Sequence, residues 1–203
     1  CCYKKHSKFY SMSTISPHIF TLPGWQGSGA LHWQSRWEAV FGDERVEQHN
    51  WHQPLRGDWI TRLEDVVQNH IAKRQKQGLD QQAIVFAAHS LGCHLVAAWA
   101  SLSPSVGQVA GALLVAPPSQ EAISYAPQMH SWTKPVLAKL PFKTTMVAST
   151  RDPFCKLPAA QELAAQWGSE LINAGPIGHI NAESGLGNWQ AGRDLLNKLT
   201  IIK

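Results

Sequence analysis

No pair of cysteines stands in a C-x-x-C arrangement, and of the four present (Cys1, Cys2, Cys93 and Cys155) two form an adjacent dipeptide. A disulfide framework is not expected, and the thiol usage fits a reducing compartment, so the expected location is cytoplasmic. Nowhere do about eighteen apolar residues run together, which argues against a membrane-spanning helix. G-x-G-x-x-G and G-x-x-x-x-G-K-[ST] are both missing. That removes the usual backbone cradles for a dinucleotide or a triphosphate, and no cofactor is expected. His49 and His52, or His89 and His94, are the nearest approach to metal-ligand spacing, but no carboxylate or cysteine completes either set; no metal site is expected.

Charge of either sign is scarce. Lys and Arg total 18 against 14 Asp and Glu, a net charge of +4, and Lys4, Lys5 and Lys8 supply three of the four excess charges. The body of the chain is nearly neutral, which excludes a basic surface for nucleic acid. Residues 1–11 lack the apolar core of a secretory signal. They read as a disordered or non-native extension, although a basic, acid-free stretch is also what an import signal would show. Residues 12–203 read as one domain, long enough to bury roughly 70% of its unfolded surface. Nine tryptophans against three tyrosines are unusual. Trp33, Trp37, Trp51, Trp59, Trp99 and Trp167 read mostly as core and helix–sheet packing, as does Trp189.

Short β-rich runs alternate with longer helical patterns, as expected for βαβ units and a mostly parallel sheet with helices on both faces. Strands are expected near 18–22, 45–50, 83–88, 111–115, 144–148 and 170–173. Helices are expected near 30–41, 91–101, 156–167 and 188–199. A further helix is capped by Asp58, carries apolar residues from Trp59 to Ile71 at helical spacing, and ends at Gly78. Residues 117–143 show no clear period and read as a short lid inserted between two strands.

The segment A-A-H-S-L-G-C (87–93) places Ser90 between the strand 83–88 and a helix. In an open parallel sheet this is where ligands bind, and a sharp strand-to-helix reversal exposes the serine oxygen while requiring small flanking residues. Ala88 stands where a G-x-S-x-G motif has its first glycine; Gly92 keeps the second. The plainer reading of a serine there is a helix cap. If Ser90 is a nucleophile, it needs a base and an orienting carboxylate, in the chain order Ser, acid, His. His179, in the Gly/Pro loop A-G-P-I-G-H-I-N-A, fits the base by position, with a satisfied surface histidine as the plainer reading. Of Glu121, Asp152, Glu162 and Glu170, only Asp152 follows the carboxyl end of a strand by a short loop, where it would also suit a turn. The main-chain N–H groups of Leu91 and Trp25 are expected to form the oxyanion hole, and Trp25 and Trp132 to wall the substrate pocket.

The strings LPGWQGSGALHWQSRW, WHQP followed by DW, AHSLGCHL, GALLVAPP, LPF with VASTRDPFC, and GHINAESGLGNWQAG run in order from about Ile19 to Leu199. Together they resemble the small serine hydrolases of the α/β-hydrolase superfamily that include retinoblastoma-binding protein nine and YdeN-like bacterial proteins. The resemblance implies an α/β-hydrolase fold, Ser90 as nucleophile, Asp152 as acid and His179 as base. It also implies esterase-like or aminopeptidase-like action on a small ester, thioester or amide. The L-x-C-x-E string for retinoblastoma pocket binding is absent, the nearest being L-G-C-H-L at 91–95, so no protein partner is carried over. The competing expectation is a non-catalytic protein-binding module on the same fold.

Overall fold

Along I-V-F-A-A-H, alternate side chains enter two different cores. Ile84, Phe86 and Ala88 join one apolar cluster, and Val85 and Ala87 join another. A strand with both faces buried belongs in the middle of a sheet covered by helices on each side. The computed structural model of the chain, which describes residues 16–79 and 82–200, has this arrangement. The expected extension at 1–11 lies outside the described residues.

The strands are β1 (His18–Leu22), β2 (Glu44–Arg45), β3 (Ile84–His89), β4 (Val109–Val115), β5 (Lys143–Ala148) and β6 (Glu170–Asn173). They form one sheet in the order β2-β1-β3-β4-β5-β6, and every pairing is parallel. The helices are α1 (Trp33–Phe41), α2 (Arg56–Lys76), α3 (Leu91–Ala100), α4 (Gln120–Tyr125), α5 (Leu157–Trp167) and α6 (Gln190–Leu199). Trp33 and Trp37 of α1 pack with Leu196 and Leu199 of α6 on one face; Trp59, Leu63 and Val67 of α2, Leu95 and Trp99 of α3 and Trp167 of α5 pack on the other. The chain first moves outward from β1 to β2 and then crosses back to β3. Right-handed crossovers require the covering helix to change face when the direction reverses, which puts α1 and α2 on opposite sides. The reversal opens a crevice between the carboxyl ends of β1 and β3.

The expected elements need four corrections. The strand at 45–50 is only the two-residue β2, because Asn50 closes a turn by accepting at Oδ1 from the N–H groups of His52 and Gln53. The second helix begins at Arg56 rather than at Asp58, and its cap, Leu55, makes no side-chain bond. One of its free N–H groups, that of Arg56, instead donates to Ser131 Oγ from the insertion, and Asp58 sits in the first turn, where a carboxylate favours the helix dipole. Residues 117–143 are not without structure: Ser119 accepts from Ala122 N–H and starts α4, and a 3₁₀ turn follows over Pro127–Trp132. The first and last helices start late, at Trp33 and Gln190. No helix among the described residues is long and apolar enough to cross a membrane.

Candidate active site

Strain marks the site before any chemistry is considered. Ser90 has φ 53° and ψ −124°, and Gln26, Ala116 and Ile180, on loops following β1, β4 and β6, also have positive φ. Such conformations cost on the order of 1–3 kcal/mol each for residues other than glycine, and they persist where the surrounding fold enforces them. Ser90 makes no capping bond to α3, so the helix-cap reading does not describe it. Its N–H donates to the Val115 carbonyl at 2.9 Å, which ties the turn to β4 and leaves the side chain free.

Small residues around the turn have measurable reasons. A Cβ on Gly92 would lie 2.2 Å from the Leu22 carbonyl oxygen, and one on Gly24 would lie 2.8 Å from the Ser90 Cβ and 3.0 Å from the Leu91 nitrogen. Backbone thus meets backbone at Gly92, and the loop after β1 presses directly on the turn. Ala88 differs because its methyl group points into the core shared with α2 and α3 and is fully buried there. The first small position therefore tolerates alanine, whereas the second does not.

The structure brings three of the expected residues into one chain of hydrogen bonds. Ser90 Oγ lies 3.0 Å from His179 Nε2, and His179 Nδ1 lies 2.9 and 3.0 Å from the two carboxylate oxygens of Asp152. They follow the carboxyl ends of β3, β6 and β5 respectively. The Asp152 side chain is only 1% exposed and that of His179 10%, so the pair is shielded from water. Asp152 Oδ1 also accepts from Phe154 N–H at 2.9 Å, so it serves the turn as well.

A second layer fixes His179, and most of it is not apparent from the sequence. His89 Nε2–H donates to the main-chain carbonyl of His179 at 2.9 Å, and the His89 and Phe154 rings meet the His179 ring edge-on at 4.9 and 4.7 Å. Burial holds the His89 pKa well below its ordinary value, so this ring is a neutral donor. Behind the loop, Trp33 Nε1 donates to the Ile180 carbonyl at 2.9 Å and Trp37 Nε1 to the Asn188 carbonyl at 2.6 Å. The H-W-x-x-x-W spacing offers the only sequence signal for this, since residues four apart share a helix face.

A cavity of about 490 Å³ opens over Ser90 and His179. Trp25 lines it, and its indole N–H donates to the His52 carbonyl at 3.0 Å. Trp132 does not line it, which corrects the expectation. Its ring is buried against Trp59, and Nε1 donates to the Pro54 carbonyl at 2.6 Å, so it pins the insertion to the start of α2. The insertion instead contributes Pro118, Ala122, Ala126 and Met129 to the wall.

His94 donates to the Pro118 carbonyl at 2.9 Å, and burial pushes its pKa down to about 4. Cys93 and Cys155 are buried free thiols, both pushed upward by burial, Cys155 to about 12, and neither offers a thiolate. Among the described residues, one group of metal-type ligands converges, His18, Glu44 and His70. It sits by the amino end of β1, at the opposite end of the sheet from Ser90.

A family model described as serine hydrolase matches residues 19–198. The chain belongs to the serine hydrolase family. The serine hydrolase is 27% identical to a solved protein described as a YdeN-like hydrolase from Pectobacterium atrosepticum, over 91% of each chain and with a TM-score of 0.74. The ydeN gene product of Bacillus subtilis is 16% identical over 91% of this chain and 98% of its own, TM-score 0.66. Est1E of Butyrivibrio proteoclasticus, solved with ferulic acid bound, is 15% identical over 90% and 89%, TM-score 0.65. No curated protein matches. The six-stranded parallel sheet with helices on both faces is an α/β-hydrolase fold.

Proposed function

We propose that this serine hydrolase cleaves a small ester, thioester or amide through an acyl-enzyme on Ser90. The observation that carries the reading is the unbroken path from Ser90 Oγ through the His179 ring to Asp152. A serine hydroxyl is a weak nucleophile until a base removes its proton during attack. His179 Nε2 takes the proton as Oγ bonds to the carbonyl carbon. Asp152 keeps the proton-bearing Nδ1 turned away and stabilises the imidazolium that forms. The same Nε2–H then protonates the leaving group, and water repeats the sequence to release the acid.

Charge that develops on the carbonyl oxygen needs donors already in place, each contributing roughly 3 kcal/mol in other enzymes. Leu91 N–H, at the amino end of α3, and Trp25 N–H, on the loop pressed against it by Gly24, fill that role. In the same reading the strained turn at Ser90 holds the oxygen at the crevice mouth.

A fluorophosphonate probe tests the proposal. The wild type should be labelled on one residue, and Ser90→Ala should not be labelled. An unlabelled wild type would overturn it and favour the binding-module reading, and equal labelling of both would overturn the assignment to Ser90.

A further inference from the structure

The cavity over Ser90 is lined by residues of two chemical kinds. The insertion after β4 contributes Pro118, Ala122, Ala126 and Met129, which present no charge. The segments after β1 and β6 contribute the polar residues Gln26, His32, Asn181 and Glu183. His32 is neutral there, since burial and then Arg45 push its pKa down to about 3. Among the described residues no lysine or arginine lines the cavity, and Glu183 is the one carboxylate that does. Glu183 forms no ion pair with any described residue.

The reaction assigns different parts of a substrate to these two groups of residues. A general acid must lie within hydrogen-bond reach of the atom it protonates, so the leaving group departs beside His179 Nε2. What extends beyond that atom runs along the residues that follow His179, and Asn181, Ala182 and Glu183 all line the cavity. Their backbone is held in place. Asn181 Oδ1 accepts from Glu183 N–H at 3.1 Å, and Ser184 Oγ donates to the Ile177 carbonyl at 2.6 Å. The acyl group is left to face the apolar wall of the insertion.

We propose that the preferred substrates join a compact apolar acyl group to a leaving group that bears a positive charge, an ammonium or guanidinium, received by the Glu183 carboxylate. This rests on the hydrolase reading above. Glu183 is exposed, so the attraction is modest and sensitive to salt. A single counter-charge in the cavity rim gives a preference of about fivefold over an uncharged leaving group of the same shape.

The test compares choline butyrate with its neutral carbon analogue, 3,3-dimethylbutyl butyrate, at low ionic strength. In the wild type kcat/KM should favour the charged ester by about fivefold, mainly through KM, and the preference should shrink as salt is added. Glu183→Gln should bring the ratio close to one, and Glu183→Lys should invert it. Both variants should still be labelled by the fluorophosphonate on Ser90, which shows that the fold and the reactive serine survive the substitution. A wild type that labels but shows no preference, or a preference that survives Glu183→Lys, would overturn this proposal and leave the hydrolase reading standing. A wild type that does not label would overturn both.

Discussion

The His89 imidazole and the main-chain carbonyl of His179 are joined by a 2.9 Å hydrogen bond, so the residue preceding Ser90 holds the backbone of the residue whose ring faces Ser90. Replacing His89 by Phe keeps an aromatic ring beside His179 but removes the donor. Small misplacements of a reacting group can reduce turnover about a hundredfold. We expect kcat to fall by about ten- to a hundredfold in His89→Phe with KM nearly unchanged, and His89→Gln, which retains a donor, to recover part of the loss. Steady-state kinetics on a short p-nitrophenyl ester, with circular dichroism to check the fold, would measure this.

The members of the hydrogen-bonded chain should fail unequally. Ser90→Ala and His179→Ala should each lower kcat by about a millionfold, and Asp152→Ala by somewhat less, because in systems of this kind the carboxylate supports the other two rather than reacting. The double variant Ser90→Ala/His179→Ala should be little worse than either single change. Full additivity in kcat would show that the two residues do not act as a unit.

Ala88 and Gly92 occupy equivalent places in the motif but not in the fold. Ala88→Gly removes a buried methyl group and loosens a strand, so it should cost roughly 1–2 kcal/mol of stability while activity persists. Gly92→Ala drives a methyl group to within 2.2 Å of the Leu22 oxygen and should cost roughly 3 kcal/mol or more, with loss of activity as the turn is displaced. Urea unfolding midpoints of the two variants would separate these outcomes.

Acid should destabilise the fold from about pH 6.5 downward. Burial lowers His32 to about 3 and His94 to about 4, while both return to their ordinary value near 6.5 in the unfolded chain. Below that value the unfolded state takes up protons that the folded state refuses, so stability declines as pH falls until the folded values are reached. Glu64 adds to this at lower pH. Burial raises its carboxyl, but donors from Ser103, Gln68, Ser105 and Trp99 outweigh burial and hold it below the usual range, and that contribution disappears as pH drops through its folded value. Denaturant titrations at pH 7.5, 6, 5 and 4.5 should show a falling unfolding free energy, and His94→Gln should flatten part of the slope.

Much of this was legible because parallel strands buried on both faces are nearly continuous apolar runs, and because residues at their carboxyl ends share one crevice. That logic picked out Ser90, Asp152 and His179 as the residues the structure draws together, from positions up to 89 residues apart. It did not place Trp132, since nothing in a proline-rich insertion tells whether an indole faces a cavity or the helix below it. Nor did it find the short α4, whose signal, Ser119 followed by Glu121 in the first turn, is hidden beside Pro117 and Pro118. The role of His89 was also out of reach, because its partner is a carbonyl and backbone carbonyls leave no mark on a sequence.

The two indoles of α1 reach carbonyls 147 and 151 residues further along the chain. Closing contacts of such separation is slow and follows the formation of nearer ones. Fraying of this nine-residue segment would release the rear support of the imidazole loop while the central strands remained paired. Loss of turnover on mild heating should therefore precede loss of the sheet, with the earliest amide exchange near residues 180–188.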